Sequence, residues 1–305
     1  MARPSASPAR LEPPAAAVAP RAALRPPQSQ AALAWRQFRR HRLALAGAAT
    51  FLLLCALAVL APLSPYDPNR TSLLERYQAP SLAHPFGTDD LGRDELTRVL
   101  IGGRMSLSVG VLAMLVSVLV GTLVGAFAGY FGGALDSLLM RLTELFIAFP
   151  QLFILILLAA LFGTDFWTIV LVIGLLRWMP VARLVRAAFL QLKAQEYIVA
   201  ARAIGASTGA IMWRHILPNA LSPIIVAATL GVAGAILTES TLSFLGLGIQ
   251  LPTATWGNML RAAQNEMAIA PWLAFFPGLF IFLTILSINY VGDGLRDALD
   301  PHKKL

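Results

Sequence analysis

The chain has 305 residues, of which 57% are hydrophobic and only 13% are charged, whereas an average soluble protein is about 25% charged. A mean hydropathy of +0.68 excludes a soluble globule, a disordered chain and a collagen as descriptions of the whole sequence. The single cysteine, Cys55, excludes an internal disulfide framework and a cysteine-rich metal site. The net charge of +8 does not indicate a nucleic-acid-binding protein, because the basic residues are placed as topology signals between apolar segments.

Six stretches are apolar enough to cross a bilayer core of about 30 Å, which takes about 20 helical residues. They cover 43–63, 105–135, 145–164, 166–182, 216–238 and 267–292, and the fourth continues past Arg177. The stretch 240–260 is also uncharged, but its glycines and proline favour an irregular loop. The predicted fold class is therefore an all-α polytopic membrane protein with six transmembrane helices.

The distribution of Lys and Arg predicts that both termini are cytoplasmic. In that orientation 18 of the 24 basic residues lie on the cytoplasmic side, as the positive-inside rule requires. Residues 1–34 are rich in Ala, Pro and Arg and are predicted to form a disordered cytoplasmic tail. Residues 35–104 then hold the first span and a periplasmic segment, 105–292 the core membrane domain, and 293–305 a cytoplasmic tail.

Local patterns predict further features of the helices. Thr88 can cap a helix that starts at Asp89, so an amphipathic helix over 90–100 is expected on the outer surface, leading into the second span. Pro150 and Pro180 are expected to bend the third and fourth spans. Glycines repeat every four residues in the second span and predict a close helix contact, either within the chain or with a partner subunit; they are Gly121, Gly125 and Gly129.

Several kinds of chemistry are excluded by the sequence. None of the three lysines follows a glycine, so the chain has no P-loop and is not expected to hydrolyse ATP. The four histidines are scattered, and no metal site is expected. Glu144, Glu239 and Arg177 lie in or near spans, where each is expected to reach an interface or to pair, and mid-membrane relays typical of ion-driven transporters are missing.

The stretch 205–209 fits the Gly-x-Ser-x-Gly pattern of serine hydrolases, but the last span offers no histidine as a base. A helix–turn–helix explains the pattern better, with Gly205 ending one helix and Ser207 starting the next. The second helix is expected to run to about Leu217, with Pro218 in the first turn of the fifth span. The 194–218 loop is therefore either an amphipathic segment on the membrane surface or a surface that another protein approaches closely at its small alanines.

Four motifs in this chain resemble the permease subunits of ABC importers for dipeptides and oligopeptides. The 194–218 loop resembles the family's EAA loop in Ala200, Ala201 and Gly205, followed by 216–218, although Val199 stands where the family usually has Glu. The stretches 84–107, 242–258 and 292–301 resemble three further family segments, and together the resemblance covers about residues 35–301.

The resemblance implies the type I importer fold and the role of the second, shorter permease subunit of a peptide importer in a bacterial inner membrane. It implies a second permease, two ATPase subunits that bind ATP and Mg²⁺, and a periplasmic or lipid-anchored binding protein as partners, with no cofactor in this chain. The residues implied to contact the ATPase are Ala200, Ala201, Arg202, Gly205, Ala206, His215, Leu217 and Pro218.

Two alternatives remain open at the level of the sequence. The same family shape serves the import of nickel or another small solute, and a channel or scaffold without ATP coupling would also be a neutral helical bundle. The substrate-binding residues cannot be identified from the sequence.

Overall fold

The computed structural model describes residues 30–299, and these residues are almost entirely helical. Within them no β-strand forms, and the single isolated β-bridge joins Thr88 to Asp94. The predicted all-α fold is confirmed. The helices are α1 (Gln30–Phe38), α2 (Arg42–Leu60), α3 (Glu95–Phe131), α4 (Gly133–Ala148), α5 (Gln151–Phe162), α6 (Phe166–Leu176), α7 (Trp178–Lys193), α8 (Glu196–Ala203), α9 (Thr208–Ala210), α10 (Leu217–Phe244), α11 (Trp256–Ala263) and α12 (Trp272–Leu299).

Four helical segments of the described chain are long and apolar enough to cross a membrane: Arg42–Leu63, Glu95–Phe131, Thr208–Phe244 and Trp272–Leu299. Two bent pairs, α4 with α5 and α6 with α7, raise the number to six when each pair counts as one span. Helix α3 lies at the centre of the bundle, where it contacts α2, α4, α6, α7, α10, α11 and α12.

Proline explains both bends. Helices α4 and α5 meet at 87°, and α4 ends at Ala148 because a residue that precedes proline, here Phe149, disfavours helical geometry. Helices α6 and α7 meet at 42°. In a continuous helix the ring of Pro180 would clash with the carbonyl four residues earlier, that of Leu176, and Leu176 is where α6 ends.

The α6–α7 pair runs antiparallel to α3 over most of its length. Phe166, at the start of α6, and Met105 pack against the same apolar cluster, while Lys193, at the end of α7, donates a hydrogen bond of 2.5 Å to the carbonyl of Tyr130. The 25 residues from Met105 to Tyr130 rise by roughly 38 Å along α3, which exceeds the bilayer core of about 30 Å. The bent pair therefore extends across a full membrane thickness.

The helices extend past the predicted spans because the prediction stopped at charged residues. Helix α3 includes Glu95, Arg98 and Arg104, and α12 continues to Leu299, so residues 293–299 of the predicted tail are helical. The prediction of an irregular loop over 240–260 is wrong at both ends, because the structure forms helices there. Helix α10 continues to Phe244, and α11 starts at Trp256 behind a capping box of Thr255 and Asn258.

The predicted disordered tail 1–34 lies mostly outside the described residues, but its end is ordered. Residues 30–34 belong to α1, which packs on α12. Phe38, Ala44 and Ala298 form a buried cluster, and Ala34 packs against it. This contact joins α1, α2 and the end of α12, which gives Ala34 apolar neighbours that the sequence pattern does not show.

The helix predicted to start at Asp89 is wrong. The hydroxyl of Thr88 accepts a hydrogen bond of 2.8 Å from the amide of Gln78 and donates to the carbonyl of Glu75, so it is not free to cap. The chain turns at Gly92, whose φ is +72°, and Asp94 caps α3 by accepting from the amide of Thr97 at 2.8 Å. Residues 95–100 are thus the first turns of α3 itself.

Candidate functional site

The 194–218 loop lies at the end of the bundle where α3 and α7 finish, and we call this the loop end. Phe127 near the end of α3 meets Trp213 of the loop edge to face, with ring centroids 6.4 Å apart. The segment 61–94 precedes α3 and lies at its opposite end, which we call the cap end. The two ends are separated by the 37 residues of α3, roughly 55 Å.

A tight turn connects the two helical parts of the loop. Gly205 has a φ of +89°, and the amides of Gly205 and Ala206 donate to the carbonyls of Arg202 and Ala201 at 3.0 Å each. This pair of hydrogen bonds is the Schellman motif, which places glycine at the left-handed position. Ser207 then caps α9 by accepting from the amide of Ala210 at 3.3 Å, so the predicted helix–turn–helix is confirmed.

Helix α8 is anchored on one side and bare on the other. Ile198 is fully buried and packs in a cluster with Ile211, Met212 and Ile216. Away from this contact, Val199 is 60% exposed to solvent, and Ile204, just past the end of α8, is 87% exposed. A loop this well anchored, with exposed apolar side chains, presents a firm surface that a second protein can cover.

The structure brings the predicted loop residues together at the loop end, with different exposure. Four of them are exposed, and these are Ala200, Arg202, Gly205 and Pro218. The other four are half-buried, and these are Ala201, Ala206, His215 and Leu217. Val199, at the position of the family's usual Glu, lies on the exposed side of α8 and makes that side more apolar.

Pro218 lies in the first turn of α10, as the sequence predicted, but no break in the helix precedes it. One helical segment runs from Thr208 to Phe244, and its π-helical stretch, Ile211–Ile216, ends two residues before the proline. There the amide of Leu217 donates to the carbonyl of Met212, five residues earlier. The wider turn lets the segment continue through a proline that would clash in an unbroken α-helix.

The glycine repeat faces α7 of the same chain. A Cβ atom on Gly121 would lie 2.6 Å from that of Val181, and one on Gly125 would lie 2.4 Å from the carbonyl oxygen of Ala182. A Cβ on Gly129 would lie 2.7 Å from the carbonyl of Arg186. Of the two predicted possibilities, the structure places these glycines in an internal contact, where the backbones of α3 and α7 nearly touch.

Glu239 has surroundings that the sequence did not predict. It is completely buried in α10, and its carboxylate accepts hydrogen bonds from Ser106 of α3 at 3.0 Å and from Ser243 at 2.7 Å. Ser106 also accepts from the amide of Trp256 at 3.2 Å, so the network joins α3, α10 and α11. The expectation that Glu239 reaches an interface or forms an ion pair is wrong, because hydroxyl groups satisfy it.

Charged groups also tie the bent pairs to the bundle. Arg186 of α7 binds Asp136 of α4 through two hydrogen bonds of 2.5 and 2.6 Å. Arg177, at the break between α6 and α7, donates to the hydroxyl of Thr238 at 3.1 Å. Glu144 is exposed. Among residues 30–299 no group of three or more His, Cys, Asp and Glu side chains could hold a metal ion.

Comparison with known proteins identifies the class to which this geometry belongs. Residues 121–305 match the family model described as the binding-protein-dependent transport system inner membrane component. Residues 29–80 match the N-terminal transmembrane domain of oligopeptide transport permease C. The chain therefore belongs to the family of inner membrane components of binding-protein-dependent transport systems, and it is a multi-pass inner membrane protein.

Similar curated proteins come from several bacteria. The oligopeptide transport system permease protein OppC of Escherichia coli K12 is 48% identical over 87% of this chain and 89% of its own length. The dipeptide transport system permease protein DppC of Bacillus subtilis 168 is 45% identical over 91% of this chain and 87% of its own length. The glutathione transport system permease protein GsiD of Shigella flexneri serotype 5b is 46% identical over 88% of this chain and 90% of its own length.

Membership of this family confirms the predicted permease class and its fold. The alternative of a channel or scaffold outside a transport system is not supported, because the matched model covers most of the membrane domain. The relatives described above are named for oligopeptides, dipeptides and glutathione, and none of the three is named for nickel.

Proposed function

We propose that this chain is one of two permease subunits of an ATP-driven importer of short peptides, and that the 194–218 loop couples it to the ATPase subunits. The substrate class rests on relatives named for peptides that are similar over almost the whole chain. The observation that carries the coupling role is the anchored helix α8, which leaves Ala200, Val199 and Ile204 exposed above a buried Ile198. ATP and Mg²⁺ bind to the partner subunits, since this chain has no P-loop.

The orientation follows from the same proposal. The loop end faces the cytoplasm, where the ATPase subunits are, and both termini lie on that side. The cap end faces the periplasm, where a periplasmic or lipid-anchored binding protein delivers the peptide. A second permease completes the membrane pathway. The positive-inside distribution of Lys and Arg supports this arrangement.

The transport function is tested by uptake in a strain from which the gene for this chain is deleted. Labelled dipeptides, longer peptides and nickel are supplied separately, and the deletion is complemented with the wild-type gene. We expect complementation to restore peptide uptake and to leave nickel uptake unchanged. Restoration of nickel uptake alone would contradict the peptide proposal and favour the small-solute alternative.

The coupling role is tested by placing a charge on the loop. Ala201→Asp is expected to abolish uptake while the subunit stays in the membrane, because an unpaired charge is strongly disfavoured in a close interface. Gly205→Asp is expected to act more weakly, since Asp tolerates the left-handed conformation better than most residues. Ala201 is half-buried within this chain, however, so Ala200→Asp at the exposed neighbour separates docking from folding of the loop.

A matched control adds the same charge to the same loop. Gln195→Asp places a carboxylate at the residue that caps α8, where the helix dipole stabilises it. We expect Gln195→Asp to keep ATPase co-purification and uptake near wild type, while Ala200→Asp and Ala201→Asp lose both. Normal co-purification and normal uptake in Ala200→Asp and Ala201→Asp would show that this loop is not the coupling element.

A further inference from the structure

A cavity of about 640 Å³ lies where the two bent pairs break. One wall comes from the α4–α5 break and includes Phe146, Phe149 and Gln151; the other comes from α7 and includes Met179, Pro180 and Arg183. Most of these residues are exposed, so the cavity opens on the surface of the subunit rather than between its packed helices. Its volume falls in the range of about 300–1,000 Å³ that small-molecule sites occupy.

Two polar side chains in the cavity have unused hydrogen-bonding capacity. Arg183 is exposed, and within residues 30–299 it forms no ion pair and donates no hydrogen bond. Gln151 donates its amide hydrogen to the carbonyl of Leu176 at 3.3 Å, which fixes the side chain between the two breaks. Its carbonyl oxygen accepts no hydrogen bond from the described residues, so it can accept one from a ligand.

The position of Arg183 along α7 favours an anionic partner. It precedes Lys193, at the end of α7, by ten residues, which places it roughly 15 Å along the helix from the loop end. A charge at this level of α7 is costly unless it is paired or reaches the membrane surface, so an anionic ligand in the cavity would stabilise it.

We propose that this cavity is a transit site for the imported peptide, in which Arg183 binds the free C-terminal carboxylate and the Gln151 carbonyl accepts from a peptide N–H. Phe146 and Phe149 offer apolar surface to side chains of variable size, and the second permease closes the open side. The proposal rests on the peptide-import function proposed above. It assigns this chain a direct contact with the one charged group that all unmodified peptides share at their C-terminus.

The test uses the complete transporter, with both permeases, the ATPases and the binding protein, reconstituted in liposomes. Wild-type uptake of labelled dialanine first checks the proposed function; if no peptide is imported, that function fails before the site is tested. Arg183→Gln is expected to reduce the uptake rate of dialanine about tenfold to a hundredfold, the loss expected for one charge-assisted hydrogen bond. Arg183→Lys is expected to restore part of the rate because it keeps the charge.

The matched control is Arg141→Gln, which removes an exposed arginine from α4 that does not line the cavity, and wild-type uptake is expected from it. The discriminating measurement compares dialanine with dialanine amide, each normalised to the loaded binding protein. Wild-type transporter is expected to favour the free acid, and Arg183→Gln to remove that preference at the permease step. An equal loss for acid and amide would show that Arg183 does not bind the carboxylate.

Three further outcomes would overturn the proposal. If Arg183→Gln imports dialanine at the wild-type rate, the cavity is not a transit site that uses Arg183. If this variant no longer co-purifies with the second permease, Arg183 pairs with an acidic residue of that subunit instead. Phe149→Cys, in a Cys55→Ala chain, should react with a water-soluble maleimide, and turnover with dialanine should slow the reaction. Absence of labelling would mean that lipid or the second permease fills the cavity.

Discussion

At the residue scale, Glu239 shows how a buried carboxylate can stabilise a helical membrane protein without a cationic partner. Its two oxygens accept hydrogen bonds from hydroxyls on α3 and α10. Ser106 in turn accepts a hydrogen bond from the backbone of α11. Each hydroxyl keeps its hydrogen bond only while the carboxylate is present. The network therefore holds three helices near the cap end through groups that would otherwise be unsatisfied.

Removing this carboxylate should destabilise the protein. We expect Glu239→Ala to lower the free energy of unfolding by about 3 kcal/mol, because Ser106 and Ser243 lose their acceptor in a buried site. Glu239→Gln keeps one acceptor oxygen and should cost about 1 kcal/mol. Thermal unfolding of the purified protein in detergent measures how much stability each variant loses. Glu144→Ala, at an exposed acid in α4, is the control, and an equal shift in all three variants would contradict the role of the network.

At the element scale, the contact between α3 and α7 depends on glycine. The bent α6–α7 pair can lie along α3 only because the backbones approach within side-chain distance at Gly121, Gly125 and Gly129. Close approach of this kind replaces the hydrophobic effect, which does not drive helix association in lipid. The same contact fixes α7, and with it the position of Arg183 and the wall of the cavity.

A methyl group at this contact should therefore be costly. We expect Gly125→Ala to lower the free energy of unfolding by about 1–3 kcal/mol, because its Cβ would lie 2.4 Å from the carbonyl oxygen of Ala182, which cannot move independently of α7. Gly278→Ala is the matched control within a helix, since its nearest neighbour would be 3.9 Å away. Comparable melting temperatures for the two variants would show that the contact is looser than the structure indicates.

At the scale of the whole molecule, the bent pairs decide how the chain crosses the membrane. Since α6 and α7 extend along roughly 38 Å of α3, the connection between α5 and α6 lies toward the cap end. This placement predicts that both pairs cross the membrane, which gives six spans. If the pairs were re-entrant loops, this connection would lie on the same side as the 194–218 loop.

Reporter fusions distinguish these arrangements. Fusions after Pro68, Thr164 and Thr253 should be active outside the membrane, and fusions after Gln195 and His302 should be active inside. The charge distribution predicts the side of the membrane on which the loops lie, and the alignment of α6–α7 with α3 predicts that the fusion after Thr164 is outside. A fusion after Thr164 that is active only inside would show that the bent pairs do not cross, and an externally active fusion after Gln195 would reverse the proposed orientation.

The sequence by itself determined the features that depend on local composition and on short motifs. The length of each apolar stretch sets the spans, and the prolines at 150 and 180 set the two breaks, because ring geometry acts within four residues. The turn at Gly205 followed from glycine's access to positive φ. The family resemblance followed from motifs in a fixed order along the chain, which can be recognised without any knowledge of contacts.

Only the tertiary structure decided the features that join distant parts of the chain. Ser106 and Glu239 are 133 residues apart, and nothing near either residue indicates that a hydroxyl of one helix satisfies the carboxylate of another. No helix starts at Asp89 as predicted, because Thr88 bonds to Gln78 and Glu75 instead of capping one, and α3 starts at Glu95. The cavity likewise exists only where two helix breaks meet, since its walls come from α4, α5 and α7, whose approach is fixed by packing rather than by local sequence.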